Sequence, residues 1–140
     1  ATYRPFGSPI ESPAGIQGKA TQFVMILDAL QLRLLEKIRS DLAGYSVVRS
    51  TSPLDNRAIW LEIFAGGIHK GNSCQTLLKK LNINCKEVAG LGNDYNDIDF
   101  LDICAEAYLV ANAPVNLQRH YKLVRSDKEE GFTEFISKVL

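Results

Sequence analysis

The stretch Gly90-Leu91-Gly92-Asn93-Asp94-Tyr95-Asn96-Asp97-Ile98-Asp99-Phe100-Leu101 decides how the chain is read. A short apolar run, Val88 to Leu91, reads as a strand ending at Gly92. A burst of Asn and Asp follows, and a helix is predicted from Asp97 to Ala105. In an open α/β sheet the loop at the carboxyl end of a parallel strand faces the ligand crevice. Oxygen-rich side chains there suit Mg²⁺, a hard cation that keeps several waters and takes one or two carboxylates. The same residues also make an ordinary Asn/Asp turn with a helix cap. Spacing alone leaves both readings open.

Working outward from this loop, helix and strand alternate. Cys74, Leu77, Leu78 and Leu81 fit one helical face before it. After it, Ala107 to Ala111 reads as a strand, Pro114 opens a short helix, and Tyr121 to Val124 is another short strand. Phe132, Phe135, Ile136, Val139 and Leu140 form the stripe of a last helix. Alternation with short loops favours a parallel sheet with helices on its faces. The first part of the chain reads differently. Residues 1 to about 20 are rich in Gly, Pro and Ser and read as loop. Ala20 to Leu27 is strand-like, and Asp28 is expected to cap a helix. Leu27, Leu30, Leu34, Ile38 and Leu42 recur at helical spacing, and Gly44 falls where a C-cap is expected. Tyr45 to Ser50 and Ala58 to Phe64 read as strands, separated by the turn cluster Pro53 to Arg57. The fold class is therefore α/β, with an α+β layer at residues 1–65 and the alternating region at 66–140.

The composition narrows the function classes. The chain has 140 residues, and 16 Lys plus Arg balance 16 Asp plus Glu. That balance gives no reason to expect nucleic acid or an anionic membrane surface as partner. The longest apolar run, Phe23 to Leu27, is far short of the ~20 residues that span a bilayer. Cys74, Cys85 and Cys104 are odd in number and form no C-x-x-C pair. They read as reduced, mostly buried thiols in a cytoplasmic protein. No secretory signal is visible. His69, His120 and Trp60 read as two surface histidines and a core tryptophan.

Gly67-Ile68-His69-Lys70-Gly71 precedes the first helix of the alternating region. A lysine there can offset the charge of a phosphoryl group and nearby carboxylates. Taken alone, a lysine at a helix start is usually a solvated one.

Four ordered stretches change the weight of these features: Leu61-Glu62-Ile63 through Gly71, Gly92 through Asp97, Val110-Ala111-Asn112-Ala113-Pro114, and Gly131-Phe132. Together they resemble the haloacid dehalogenase superfamily, and in particular its Cof-type sugar-phosphatase branch. The resemblance covers about residues 58 to 140. It implies the C-terminal part of a Rossmann-like parallel-sheet core, preceded by part of an α+β cap domain. It implies a Mg²⁺-dependent phosphatase acting on phosphate monoesters, with small sugar phosphates as the expected substrates. Lys70 would hold the nucleophile and the phosphoryl group by charge. Asn93, Asp94 and Asp97 would form the metal loop, and Asn96 and Asp97, matching the family's N-D pair, would order the metal shell and Lys70. Asn112 would lie on a further loop near the active site.

Two departures stand out. The family's metal-binding Asp corresponds to Asn93, whose amide oxygen can ligate Mg²⁺ but brings no charge; a shift of Asp94 could compensate. The family's first motif is an apolar strand ending in D-x-D. Its first Asp attacks phosphorus and its second acts as acid and base. Phe23-Val24-Met25-Ile26-Leu27-Asp28 is followed by Ala29-Leu30 instead. Asp97-Ile98-Asp99 is a literal D-x-D, but it belongs to the metal loop. The family's Ser/Thr motif on an early strand has no counterpart either. The expectation is a fragment, inactive alone, that pairs with a missing N-terminal half or self-associates through an open sheet edge. The alternative is a naturally truncated, non-catalytic binding module. A phosphotransfer receiver domain would also use Asp clusters and a Lys. It requires an acidic pair near the N-terminus and an Asp at a central strand end, and neither is present.

Overall fold

The computed structural model describes Ser12 and residues 18–52 and 58–140. The turn expected at Pro53 to Arg57 lies outside the described residues, as does most of the loop expected at 1–20. The described residues build two three-stranded sheets.

The first sheet is antiparallel, in the order β1-β3-β2. Its strands are β1 (Gln22–Asp28), β2 (Tyr45–Thr51) and β3 (Ala58–Ala65). Strand β3 is rich in aromatic and β-branched residues, as a central strand should be. Its alternation sorts side chains to two faces. Ile59 and Leu61 join Leu27 and Leu35 in a small core, with Ile38 and Val47 packed against it. Trp60, Glu62 and Phe64 take the other face. Val48 pairs with Glu62 and Ser50 with Trp60, so both belong to that second face.

Helix α1 (Leu34–Asp41) covers the first face. It is shorter than the leucine spacing predicts. Leu27 lies in β1, and Leu30 is 88% exposed in a separate 3-10 turn, Ala29–Gln31. The reason is local hydrogen bonding. The Asp28 carboxylate accepts from Leu30 N at 2.8 Å, and Asp28 N donates to Gln31 Oε1 at 3.0 Å. Asp28 thus caps that turn and not α1, and a new helix starts after it. Leu42, not Gly44, ends α1.

The second sheet is parallel, in the order β4-β5-β6. Its strands are β4 (Ala89–Gly92), β5 (Glu106–Val110) and β6 (Lys122–Val124). Around it lie α2 (Lys70–Leu81), α3 (Ile98–Leu101), α4 (Val115–Gln118, with Pro114 as its N-cap) and α5 (Gly131–Val139). Tyr108, Leu109 and Val110 are consecutive and all buried, the signature of a strand covered on both faces. They form the main core with Leu101, Ala113, Leu117, Val124 and Phe135. Phe135 meets Tyr108 edge-on, with ring centroids 5.4 Å apart. The predicted stripes are only partly buried: Leu77, Leu81 and Phe132 are exposed. Helix α3 is also shorter than expected. Tyr95–Asp97 forms a 3-10 turn capped by Asp94, and the chain turns again after Leu101. Cys74 and Cys104 are half-buried, but Cys85 is exposed, against the expectation for it. Burial pushes the Cys104 thiol up to about 11, with Cys74 and Cys85 adding to the effect.

Among the described residues, β1 and β2 are the edges of the antiparallel sheet and β4 and β6 those of the parallel sheet. Phe23, Val24, Met25 and Ile26 of β1 are all exposed. No helix of the described residues is long and apolar enough to cross a membrane.

Candidate active site

The site begins where β3 hands the chain to α2. Gly67 takes φ +79°, a left-handed conformation that a glycine adopts freely. The chain then turns through Ile68 and His69 into α2, whose first residue is Lys70. Gly71 is buried directly on the backbone carbonyl of Asp99, in α3. A Cβ there would clash with main chain. The glycine lets the first turn of α2 sit against α3, and so sets where Lys70 starts.

The second arm is the loop after β4. Asp97 is buried, with its side chain 7% exposed, and it organises the loop. Its Oδ2 accepts from Asn93 N at 2.8 Å and from Asp94 N at 3.2 Å. Its Oδ1 accepts from Lys70 Nζ at 2.5 Å. Lys70 Nζ also donates to Asn96 Oδ1 at 3.3 Å. Lys70, Asn96 and Asp97, predicted from two separate stretches of sequence, therefore meet. The ammonium is half exposed, with its remaining donor capacity open to a ligand.

Asp94 is buried and faces elsewhere. Thr51 donates to it twice, from N at 2.5 Å and from Oγ1 at 2.9 Å. Tyr95 N donates to it as well, at 2.8 Å. Beside this clamp the Arg49 guanidinium stacks 3.6 Å above the Tyr95 ring. Asp94 and Tyr95 thus tie the parallel sheet to β2. Asn93 is exposed at the loop's tip. Asn112 does not reach this loop through its hydrogen bonds. Its amide donates to Asp127 Oδ1 at 2.8 Å and accepts from Asp127 N at 3.2 Å.

Among the described residues no three His, Cys, Asp or Glu side chains gather into a metal cluster. Both Asp97 oxygens and both Asp94 oxygens already accept hydrogen bonds, so within the loop the Asn93 amide oxygen is the atom open to Mg²⁺. That fits part of a shell otherwise made of water and further carboxylate.

A cavity of about 420 Å³ lies between the two sheets. Val48, Glu62 and Phe64 line it from the antiparallel side, and Lys70, Asn96 and Phe100 from the other. His69 lines it too and is half-buried, so it is not the surface histidine expected. Its Nδ1 is 3.2 Å from Asp99 Oδ2, close enough for attraction, yet the geometry is not that of a hydrogen bond. Sequence reasoning assigned no role to Glu62, Ser50, Thr51 or Arg49. For Glu62 a signal existed: a lone carboxylate between Trp60 and Phe64 on one face of an apolar strand.

A family model for haloacid dehalogenase-like hydrolases matches residues 10–136. A Buchnera aphidicola protein named as a phosphatase, BU028/BU029, is 26% identical over 82 residues, which cover 56% of this chain and 30% of that protein. The solved structure of SMU.1108c from Streptococcus mutans superposes with a TM-score of 0.76 at 22% identity, covering 92% of this chain and 48% of that one. The HAD subclass IIB sugar phosphatase BT4131 superposes with a TM-score of 0.68 at 14% identity, covering 84% and 42%. The chain thus spans less than half the length of each of these three relatives.

Proposed function

Since this chain belongs to the haloacid dehalogenase-like hydrolases, we propose that it forms the C-terminal part of a phosphatase acting on small phosphate monoesters, sugar phosphates above all. The observation that carries this reading is Lys70. Its ammonium is held by Asp97 and Asn96 at the wall of a ligand-sized cavity, beside the carboxyl end of β4.

In this mechanism a carboxylate from outside residues 1–140 attacks phosphorus, and the alcohol leaves. Water then cleaves the aspartyl-phosphate. Lys70 offsets the negative charge that gathers on the phosphoryl oxygens as the bond to the leaving group lengthens. Asp97 holds Lys70 in place and, through the Asn93 and Asp94 amides, fixes the shape of the loop. Mg²⁺, held in part by Asn93, would supply electrostatic stabilisation of the same charge. Residues 1–140 alone would bind without turnover. The open edges of β1 and β4, and the exposed apolar side chains of β1, support pairing with the remainder of a longer protein or with a second copy. Sedimentation of residues 1–140 as a monodisperse monomer at all concentrations would argue against self-association.

The test is Lys70→Ala in the complete protein. Turnover of p-nitrophenyl phosphate with Mg²⁺ should fall about 10²- to 10³-fold, as when a preorganised charge partner of a transition state is removed. Melting temperature should fall modestly without loss of the fold, because buried Asp97 loses its ammonium partner but keeps the Asn93 and Asp94 amides. Undiminished turnover would remove Lys70 from the mechanism. A second reading, a non-catalytic binding module, is favoured by one observation: Asn93 is neutral, and Asp94 is engaged by Thr51.

A further inference from the structure

We infer that Glu62 selects the leaving group, by accepting hydrogen bonds from a donor that the substrate carries away from its phosphate. This rests on the phosphatase reading above. Glu62 stands in the middle of β3 on the face that lines the cavity, between Trp60 and Phe64 and opposite Val48. It is half-buried, and no ion pair to it is found among the described residues. A carboxylate on so apolar a face is disfavoured unless something satisfies it. Ser50 supplies one bond, its Oγ donating to Glu62 Oε1 at 2.9 Å from the neighbouring strand. That bond also fixes the carboxylate's orientation, and the rest of its acceptor capacity remains for a ligand.

The cavity is therefore bipolar. Lys70 and Asn96 give its core-side wall donors for a phosphate. Glu62 gives its roof an acceptor, set among Val48, Phe64 and Phe100. An ionised carboxylate can only accept, so the matching ligand group must donate: a hydroxyl, a pair of hydroxyls or an ammonium. The apolar flank suits the carbon face of a sugar ring or an alkyl chain. A phosphomonoester that lacks such a donor covers Glu62 while leaving its remaining acceptor capacity unmet, and a site built to bond a donor rejects an analogue without one.

The test uses the complete protein with three esters: glucose 6-phosphate, with hydroxyl donors; phosphoethanolamine, with an ammonium; and p-nitrophenyl phosphate, with neither. Binding is read by calorimetry and hydrolysis by phosphate release. In Glu62→Ala, the ratio of kcat/KM for the preferred donor-bearing ester to that for p-nitrophenyl phosphate should fall about ten- to hundred-fold, chiefly through KM. Glu62→Gln separates the two donors. Its amide oxygen still accepts from a hydroxyl, so glucose 6-phosphate should recover part of its affinity, whereas phosphoethanolamine should not. A merely structural Glu62 would lower all three esters alike and leave the ratio unmoved, and that result would overturn the inference. Wild-type protein that binds donor-bearing esters in a Glu62-dependent way but hydrolyses none supports the inference and overturns only the phosphatase reading. Protein that binds no ester overturns both.

Discussion

The two sheets divide the work unequally. Among the described residues, the core packed around the parallel sheet has eight buried members and the one beside the antiparallel sheet four. The parallel side also places Lys70, Asn96 and Asp97, the groups that would meet a phosphate. The antiparallel side carries α1 on one face and, on the other, offers Glu62, Val48 and Phe64 to the cavity. One sheet is a scaffold for charge, the other a roof over the cavity. The groups proposed to meet a phosphate stand beside the larger core, and the one proposed to select the leaving group stands on the thinner layer.

The largest expected effect probes this difference in packing. Leu109 is fully buried in the larger core, at the middle of a strand covered on both faces. Leu109→Ala should cost about 3–5 kcal/mol in urea unfolding, near the top of the range for such truncations. Leu61 is equally buried, but in the smaller cluster under α1. Leu61→Ala should cost about 2–3 kcal/mol, because a thin layer closed by one short helix can relax into the space. Equal costs would mean that the antiparallel sheet is packed as tightly as the parallel one. A smaller effect probes the joint between them. Asp94→Ala removes the acceptor for Thr51 N and Thr51 Oγ1 and should cost about 1–3 kcal/mol. Hydrogen exchange should then quicken at Thr51 and the end of β2 while β5 stays protected. Unchanged exchange at Thr51 would show that the two sheets are held together by something other than this clamp.

Much of this was legible in the sequence, and unevenly so. Order and type of the elements followed from Val47-Val48, from Ala58 to Phe64 and from the Gly-bounded run at Gly90, because alternation and glycine act locally. The meeting of Lys70 with Asp97 was expected from the resemblance and is present. What failed was also local in cause: the leucine spacing from Leu27 to Leu42 mimics one helix, but Asp28 and Gln31 close a turn of their own first. The opposite failure concerns Asp94. Its sequence neighbours suggest a metal loop, yet both its oxygens are engaged by hydrogen bonds, two of them from Thr51, 43 residues earlier. No periodicity reports a contact of that range. Glu62 was visible as an oddity of its strand, but its role needed the cavity, which only the packing of the two sheets creates.

The central claim is that Asp97 serves the reaction through Lys70. A double-mutant cycle in the complete protein tests it most directly, comparing Lys70→Ala, Asp97→Asn and the double variant by phosphomonoester turnover, with melting temperature as a control. Strong non-additivity is expected: once Lys70 is gone, removing the Asp97 charge lowers kcat little further. Fully additive losses in well-folded variants would contradict it, and would mean that the two residues act apart.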